Sequence, residues 1–212
     1  MPRQRFGKLP AEKREKILEA AGREFAEQGY DGASMNRLLR AAGVSKGAAY
    51  YYFDDKADLF LAVLEHHWDR IARSAILDFD AHDAEGFWGA LGAVYRALLD
   101  MCVERPWLLG LARSVWSLSP EMRSDDRLGR VLEGVREWFA SVLGKGRAVG
   151  AIRTDLPDDL IISLLMAVDS ANGTWLLEHW VGFEDPEREA LDFRLRTLDM
   201  VRRMFAPGAA AP

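Results

Sequence analysis

The stretch SMNRLLRAAGVSKGAAYYYF, residues 34–53, decides how this chain folds. Ser34 is a strong N-cap, because its side-chain oxygen can take up a free N–H of the first helical turn. Met35, Leu38, Leu39 and Ala42 then follow at helical spacing. Gly43 closes that helix, where a left-handed cap is cheap for glycine. Ser45 caps a second short helix that reaches about Tyr52. The connection Gly43-Val44-Ser45 leaves room only for a sharp turn, so the two helices form a helix-turn-helix. In that motif the second helix enters a DNA major groove with its N-terminal residues at the base edges. Its sequence ends in four consecutive aromatics, Tyr50 to Phe53. At about 100° per residue they point all round the axis and cannot all be buried. Phe53 is expected in the core. Tyr51 and Tyr52 are expected to meet DNA, since tyrosine joins an apolar body to a polar tip.

Outward from this motif the pattern stays helical. A helix begins at Pro10, carries Ile17, Ala21 and Phe25 on one stripe, and should stop near Gly29. Beyond the motif, helices are predicted over about Lys56–Leu77, Glu85–Cys102, Pro106–Ser117, Asp125–Leu143, Pro157–Trp180 and Pro186–Phe205. Prolines 106, 120, 157 and 186 mark boundaries, because proline cannot continue a helix from within. No period-2 run predicts a strand. The expectation is an all-α chain of about nine helices. It divides into a basic flexible arm (1–9), a helix-turn-helix domain (10–56), a larger helical body (57–206) and a disordered tail (207–212).

Composition narrows the function. The chain has 212 residues, 49% of them apolar, which suits a globular protein rather than a disordered one. A single cysteine, Cys102, excludes an internal disulfide framework and a thiolate metal cage. No cofactor is expected. A metal at His66 and Asp69 is not expected either, because that helix face reads as solvated. No glycine-rich phosphate loop and no nucleophile elbow occurs, so the chain does not read as an enzyme. No apolar run is expected to reach membrane-spanning length, and the basic start lacks a signal-peptide core, so a cytoplasmic setting is expected. Residues 1–56 carry 11 Lys/Arg against 8 Asp/Glu, while the remainder is acidic within an overall charge of −5. A basic head on an acidic body suits a head that meets a polyanion.

These motifs resemble the TetR-type transcriptional regulators. The resemblance rests on ILEAAGREF (17–25), Gly29-Tyr30, AAGVSKG (41–47), Tyr50–Phe53, Lys56 and Leu59-Phe60, over about residues 10–65. It implies that Lys46, Gly47, Ala48, Tyr50 and Tyr51 lie at the recognition surface and that Tyr52 and Lys56 bind phosphates. It also implies that Ser34 and Ser45 present helix N-termini to the DNA backbone. Arg3, Arg5 and Lys8 would reach an adjacent groove or phosphates. Two positions depart from the family pattern, with Leu39 where a small residue is common and Ala49 where leucine is common. Leu39 is expected to fill the volume vacated at 49.

For the body, the resemblance implies that the last two long helices pair with their copies in a four-helix bundle. Leu164, Val168, Ala171, Leu195, Leu198, Val201 and Phe205 are the expected homodimer interface. The small-residue patch Ser170, Ala171 and Gly173 suggests a close helix approach, since interior glycine otherwise costs about 1 kcal/mol. Six tryptophans, at 88, 107, 116, 138, 175 and 180, are assigned to the body. Aromatic-lined cavities between bundle helices are normal small-molecule sites. The resemblance implies such a site, and Trp88, Tyr95, Trp116, Phe139, Met166, Asn172 and Trp175 are its candidates. Plain core packing accounts for any one of them equally well. Asn172 is a polar amide on an apolar stripe and needs a partner. Asp169 is expected to form an interhelical salt bridge rather than to hold a cationic ligand. The expected function is a dimeric repressor of a palindromic double-stranded operator, released by a small, largely apolar molecule. The alternative is an adaptor of the same fold that no longer reads bases. Lys46, Tyr51, Tyr52 and Lys56 speak against it.

Overall fold

The structure is a computed structural model that describes residues 4–44, 51–75 and 81–208, apart from the side chains of residues 70–75 and 116. Among the described residues there are ten α-helices, one 3-10 turn and no strand, so the chain is all-α. The helices are α1 (Gln4–Gly7), α2 (Ala11–Gly32), α3 (Met35–Ala41), α4 (Lys56–Ala75) and α5 (Ala84–Glu104). They continue as α6 (Trp107–Trp116), α7 (Pro120–Arg123), α8 (Asp126–Ala148), α9 (Asp158–His179) and α10 (Pro186–Phe205). The long helices fall within a few residues of the expected ranges because prolines and caps fix their ends. Asp83 and Asp185 cap α5 and α10 by accepting the N–H groups of Gly86 and Arg188. Within α2 the helix breaks at Gly29, whose φ of 67° only glycine adopts without strain.

Contacts divide the chain into two compact units, Met1–Arg70 with Pro106–Glu133, and Ile71–Arg105 with Gly134–Pro212. The expected division after residue 56 follows sequence order, whereas packing does not. The first turns of α4, together with α6 and α7, join the helix-turn-helix unit. Two of the unit boundaries fall inside the continuous helices α4 and α8.

In the first unit, Phe25, Leu38, Phe53, Leu59 and Phe60 are fully buried in one apolar cluster with Leu111, Met122 and Leu128. Helices α2 and α6 approach unusually closely. A Cβ on Gly110 would stand 2.9 Å from the Ala26 carbonyl oxygen, and one on Gly22 would stand 2.6 Å from the Trp107 ring. Trp107, assigned to the body by sequence, therefore serves the head. The expected flexible arm is corrected as well. Its described part is helical, and Phe6 is buried with its ring 4.7 Å from Phe53. An apolar ring that reaches a cluster orders the short segment carrying it.

In the second unit, Phe87, Leu143, Ile161 and Phe205 centre a separate cluster built from α5, the later part of α8, α9 and α10. Arg202 pairs with Glu85 and Arg147 with Asp158. The Arg153 N–H donates to the Phe205 carbonyl at 2.8 Å and fixes the end of α10. The segment Asp158–Gly182, α9 plus the 3-10 turn, is long and apolar. By length and composition it could cross a membrane, contrary to the sequence expectation. Ile161 and Ile162 nevertheless seat it in this core, and Leu176 is fully buried.

Candidate functional site

The helix-turn-helix is held by side chains of its first two elements. Glu24 on α2 accepts the Ser34 N–H at 3.2 Å and the Arg37 Nε at 2.6 Å. Arg37 also donates to the Gly32 carbonyl at 2.8 Å. The start of α3 is thus tied to α2 through its N-cap, although the Ser34 hydroxyl itself makes no capping bond. Gly43 adopts φ 66°, as the turn requires. The opposite face of α3 presents Asn36, Arg40 and Ala41 to solvent.

Ser45, Lys46, Gly47, Ala48 and Tyr50 lie outside the described residues, and so does Ala49, the expected counterpart of the buried Leu39. The rest of the aromatic run divides by depth. Tyr51 is 45% exposed, and the Arg5 guanidinium lies 4.3 Å above its ring. Tyr52 is half-buried, edge-on to Phe6, and Phe53 is buried. Arg5 and Tyr51 together offer a cation and a phenol on one surface.

Lys56 does not stand free for a phosphate, as the resemblance implied. Its ammonium donates to the carbonyls of Tyr30 at 2.7 Å, Asp31 at 3.1 Å and Ala33 at 3.2 Å, and sits 4.6 Å over the Tyr30 ring. A lysine has three donors, so these bonds use all of them. The acceptors lie where α2 has broken at Gly29 and its last carbonyls lack helical partners. Lys56 therefore clasps the end of α2 to the start of α4.

A buried charge pair fixes the same unit from the other side. Asp58, 1% exposed, accepts from Arg127 at 2.5 Å, and Arg127 also bonds Asp125 at 2.6 Å. Burial pulls the Asp58 carboxyl upward, but hydrogen bonds, that of the Asp54 N–H among them, and nearby positive charge outweigh it and leave it below the ordinary value. The hydrogen bond from Arg127 lowers Asp125 to about 2. Along α2 runs an open groove of about 630 Å³ whose lining includes Glu12, Glu15, Glu19, Glu24 and Glu27. Lys16 and Arg23 also line it, so five carboxylates stand against two cations and the groove disfavours a phosphate.

The body candidates separate in the same way. Trp88 is buried, and Tyr95, Phe139, Met166 and Val168 are partly buried against the same cluster. Position 116 belongs to the other unit. Trp175 lies at the surface, stacked 4.1 Å from His179 and 4.0 Å from Phe193. Asn172 is 4% exposed, and both its amide atoms lack a hydrogen-bond partner. Asp169 makes no direct ion pair, in contrast to the expected interhelical salt bridge. It interacts with Arg194 of α10 only through the longer-range field.

Of the expected dimer face, Leu164, Ala171 and Leu195 are exposed and Val168 is half-buried. Leu198, Val201 and Phe205 are instead buried in the unit's own core, which corrects their assignment. On α10 the inward and outward stripes are both apolar, and periodicity alone does not separate them. A Cβ on Gly173 would meet nothing, so the small-residue patch is not explained by a close approach within the chain.

A family model described as "Bacterial regulatory proteins, tetR family" matches residues 17–63. The HTH-type transcriptional repressor AcnR of Corynebacterium efficiens is 33% identical over 160 residues, covering 73% of this chain and 77% of its own length. The chain belongs to the TetR family. The repressor Rv1474c of Mycobacterium tuberculosis is 32% identical over 187 residues, 85% of this chain and 88% of that protein. The fold matches the crystal structure of the regulator FadR from Bacillus subtilis in complex with stearoyl-CoA. The TM-score is 0.73 at 18% identity, over 88% of this chain and 96% of that one. This TetR-family chain is thus a DNA-binding transcription regulator whose likeness to named repressors extends past the head into the body.

Sequence reasoning missed several features. The closure of the arm by Phe6 was legible in the spacing of Phe6 and Leu9. The outward Arg40 was legible as the polar face of a short amphipathic helix. No one-dimensional signal pairs Asp58 with Arg127, or Arg194 with Tyr95, because each joins helices far apart in the chain.

Proposed function

We infer that this regulator is a homodimeric, effector-responsive repressor of a palindromic operator in the cytoplasm. The observation that carries the reading is the match to named repressors over about three-quarters of the chain, both units included. The recognition surface comprises Lys46, Gly47, Ala48, Tyr50 and Tyr51. Ser34, Ser45, Tyr52 and the cations Arg5 and Arg40 face the phosphate backbone. Dimerisation uses the apolar stripe Leu160, Leu164, Ala171 and Trp175 of α9 with Leu195 of α10, all of it exposed in the single chain. An exposed apolar surface along two adjacent helices is disfavoured in water and marks an interface. A two-fold axis through it gives two identical reading heads, as a palindrome demands.

The effector is a small molecule with a largely apolar body, seated in the second unit near Trp88, Tyr95, Phe139, Met166 and Asn172. It acts by binding better to a state whose two heads no longer match the operator. The complex of FadR with stearoyl-CoA supports an apolar body for the effector of such a fold. Selection of bound sequences from random duplex DNA by the purified protein, at stated salt, tests the reading. A recovered palindrome with a fixed half-site spacing supports it. A folded, effector-free protein that recovers nothing above background overturns it and favours a partner-protein role.

A further inference from the structure

Three helices of the second unit bring polar side chains, some buried and some half-buried, to an apolar cluster. Helix α5 contributes Tyr95 and Cys102, two turns apart on one face. Helix α9 contributes Asp169 and Asn172, neighbours one turn apart. Helix α10 contributes Arg194, only 5% exposed. The Arg194 guanidinium lies 5.8 Å from the Tyr95 ring centroid, and its charge acts on Tyr95, Cys102 and Asp169 alike. Trp88, Phe139 and Met166 belong to the apolar cluster against which Tyr95 packs.

What sets this group apart is how little of its hydrogen-bonding capacity is used. The Arg194 Nε and both amide atoms of Asn172 have no partner. No carboxylate forms a direct ion pair with Arg194 among the described residues. A buried polar atom without a partner is costly, and native interiors almost always satisfy such groups. An unsatisfied guanidinium Nε and an unsatisfied amide, buried on neighbouring helices of one unit, are best explained by something that arrives from outside. Burial also pushes the Asp169 carboxyl up, against the attraction of Arg194, toward its neutral form.

We propose that Arg194, Asn172 and Tyr95 form the polar end of the effector site and select a molecule carrying a carboxylate on an apolar body. This rests on the reading that the second unit binds an effector, and it names the chemistry of that effector. The guanidinium offers two parallel N–H donors to a carboxylate. The Asn172 amide and the Tyr95 hydroxyl supply further donors beside it. The apolar cluster takes the rest of the molecule. A cation is rejected by Arg194, and a neutral alcohol leaves the guanidinium unpaired.

The test uses the full-length protein, freed of carried-over ligand, and six probes read by calorimetry. These are decanoate and 2-naphthoate, each with the alcohol and the amine of the same carbon skeleton. The carboxylates should bind about tenfold or more tighter than their alcohols and amines, as one charge-assisted hydrogen bond warrants. Arg194→Met should erase that advantage, so that each carboxylate binds no tighter than its alcohol. Asn172→Leu, which keeps the charge, should weaken the carboxylates alone and carries the test if Arg194→Met does not fold. Equal binding of acid and alcohol, preference for an amine, an advantage that survives both substitutions, or no binding of either carboxylate overturns the proposal. If the protein reads an operator that a neutral or cationic molecule releases, the regulator reading stands and the carboxylate site falls. If carboxylates bind through Arg194 but never alter operator affinity, the site stands and effector release falls.

Discussion

Lys56 offers a direct contest between two roles, a phosphate contact and an internal clasp. The substitution Lys56→Met keeps the aliphatic stem and removes only the ammonium. Three carbonyls, of Tyr30, Asp31 and Ala33, then lose their donor. Hydrogen bonds to charged groups contribute about 1.5–3 kcal/mol each. Two of these three are partly buried and the third is exposed, so water replaces part of what is lost. The cation–π contact with Tyr30 adds roughly 0.5–1 kcal/mol at such a site. A loss of about 2–4 kcal/mol follows, which for a chain of this size lowers Tm by roughly 5–15 °C. The assay pairs a thermal melt followed by circular dichroism with operator titrations at several salt concentrations, run well below the melt. The clasp predicts a lowered Tm and an unchanged salt slope for the protein that remains folded. A phosphate contact predicts an unchanged Tm and a slope smaller by about one. An unchanged Tm together with the reduced slope would refute the reasoning.

Other outcomes follow from the same geometry. Gly110→Ala should lower stability by about 1–3 kcal/mol, because its methyl lands 2.9 Å from the rigid Ala26 carbonyl oxygen. An unchanged melt would mean that α2 and α6 separate freely. Arg127→Met should cost about 1–3 kcal/mol, since buried Asp58 loses its guanidinium hydrogen bond but keeps that of the Asp54 N–H, and Arg127 itself is 30% exposed. Asp125 titrates at about 2 when folded against an ordinary 3.8, so its stabilising contribution is complete above about pH 4 and fades as the pH falls toward 2. Acid titration of Arg127→Met should show a shallower loss of stability across that window than the parent. An identical slope would show that Arg127 is not what holds Asp125 down. Leu164→Glu combined with Leu195→Glu should yield a folded monomer by sedimentation, with operator affinity reduced about 100-fold or more through loss of the paired heads. A persistent dimer would place the interface elsewhere.

Much of this regulator was written along the chain. The helix Met35–Ala41 and the turn at Gly43 follow from helical spacing and a positive-φ glycine, which are local properties decided within a few residues. Prolines and aspartate caps fix where the long helices begin, for the same reason. The depth order of Tyr51, Tyr52 and Phe53 was partly legible, since an amphipathic helix has only one inward face.

Tertiary structure decided what depends on partners distant in sequence. Lys56 has the same residues around it in the chain whether it meets a phosphate or the end of α2. Only the folded approach of Tyr30, Asp31 and Ala33 assigns it to the clasp. Leu195 and Leu198 are equally apolar and one helical turn apart, yet one is exposed and the other is core, because packing against α5 selects one stripe of α10. Arg194 is one of several charges along α10, and only the fold buries it beside Tyr95 and leaves its Nε unsatisfied. Helical periodicity tells which residues share a face. Which face is turned inward, and which buried polar group is left unsatisfied there, depends on three helices meeting in space.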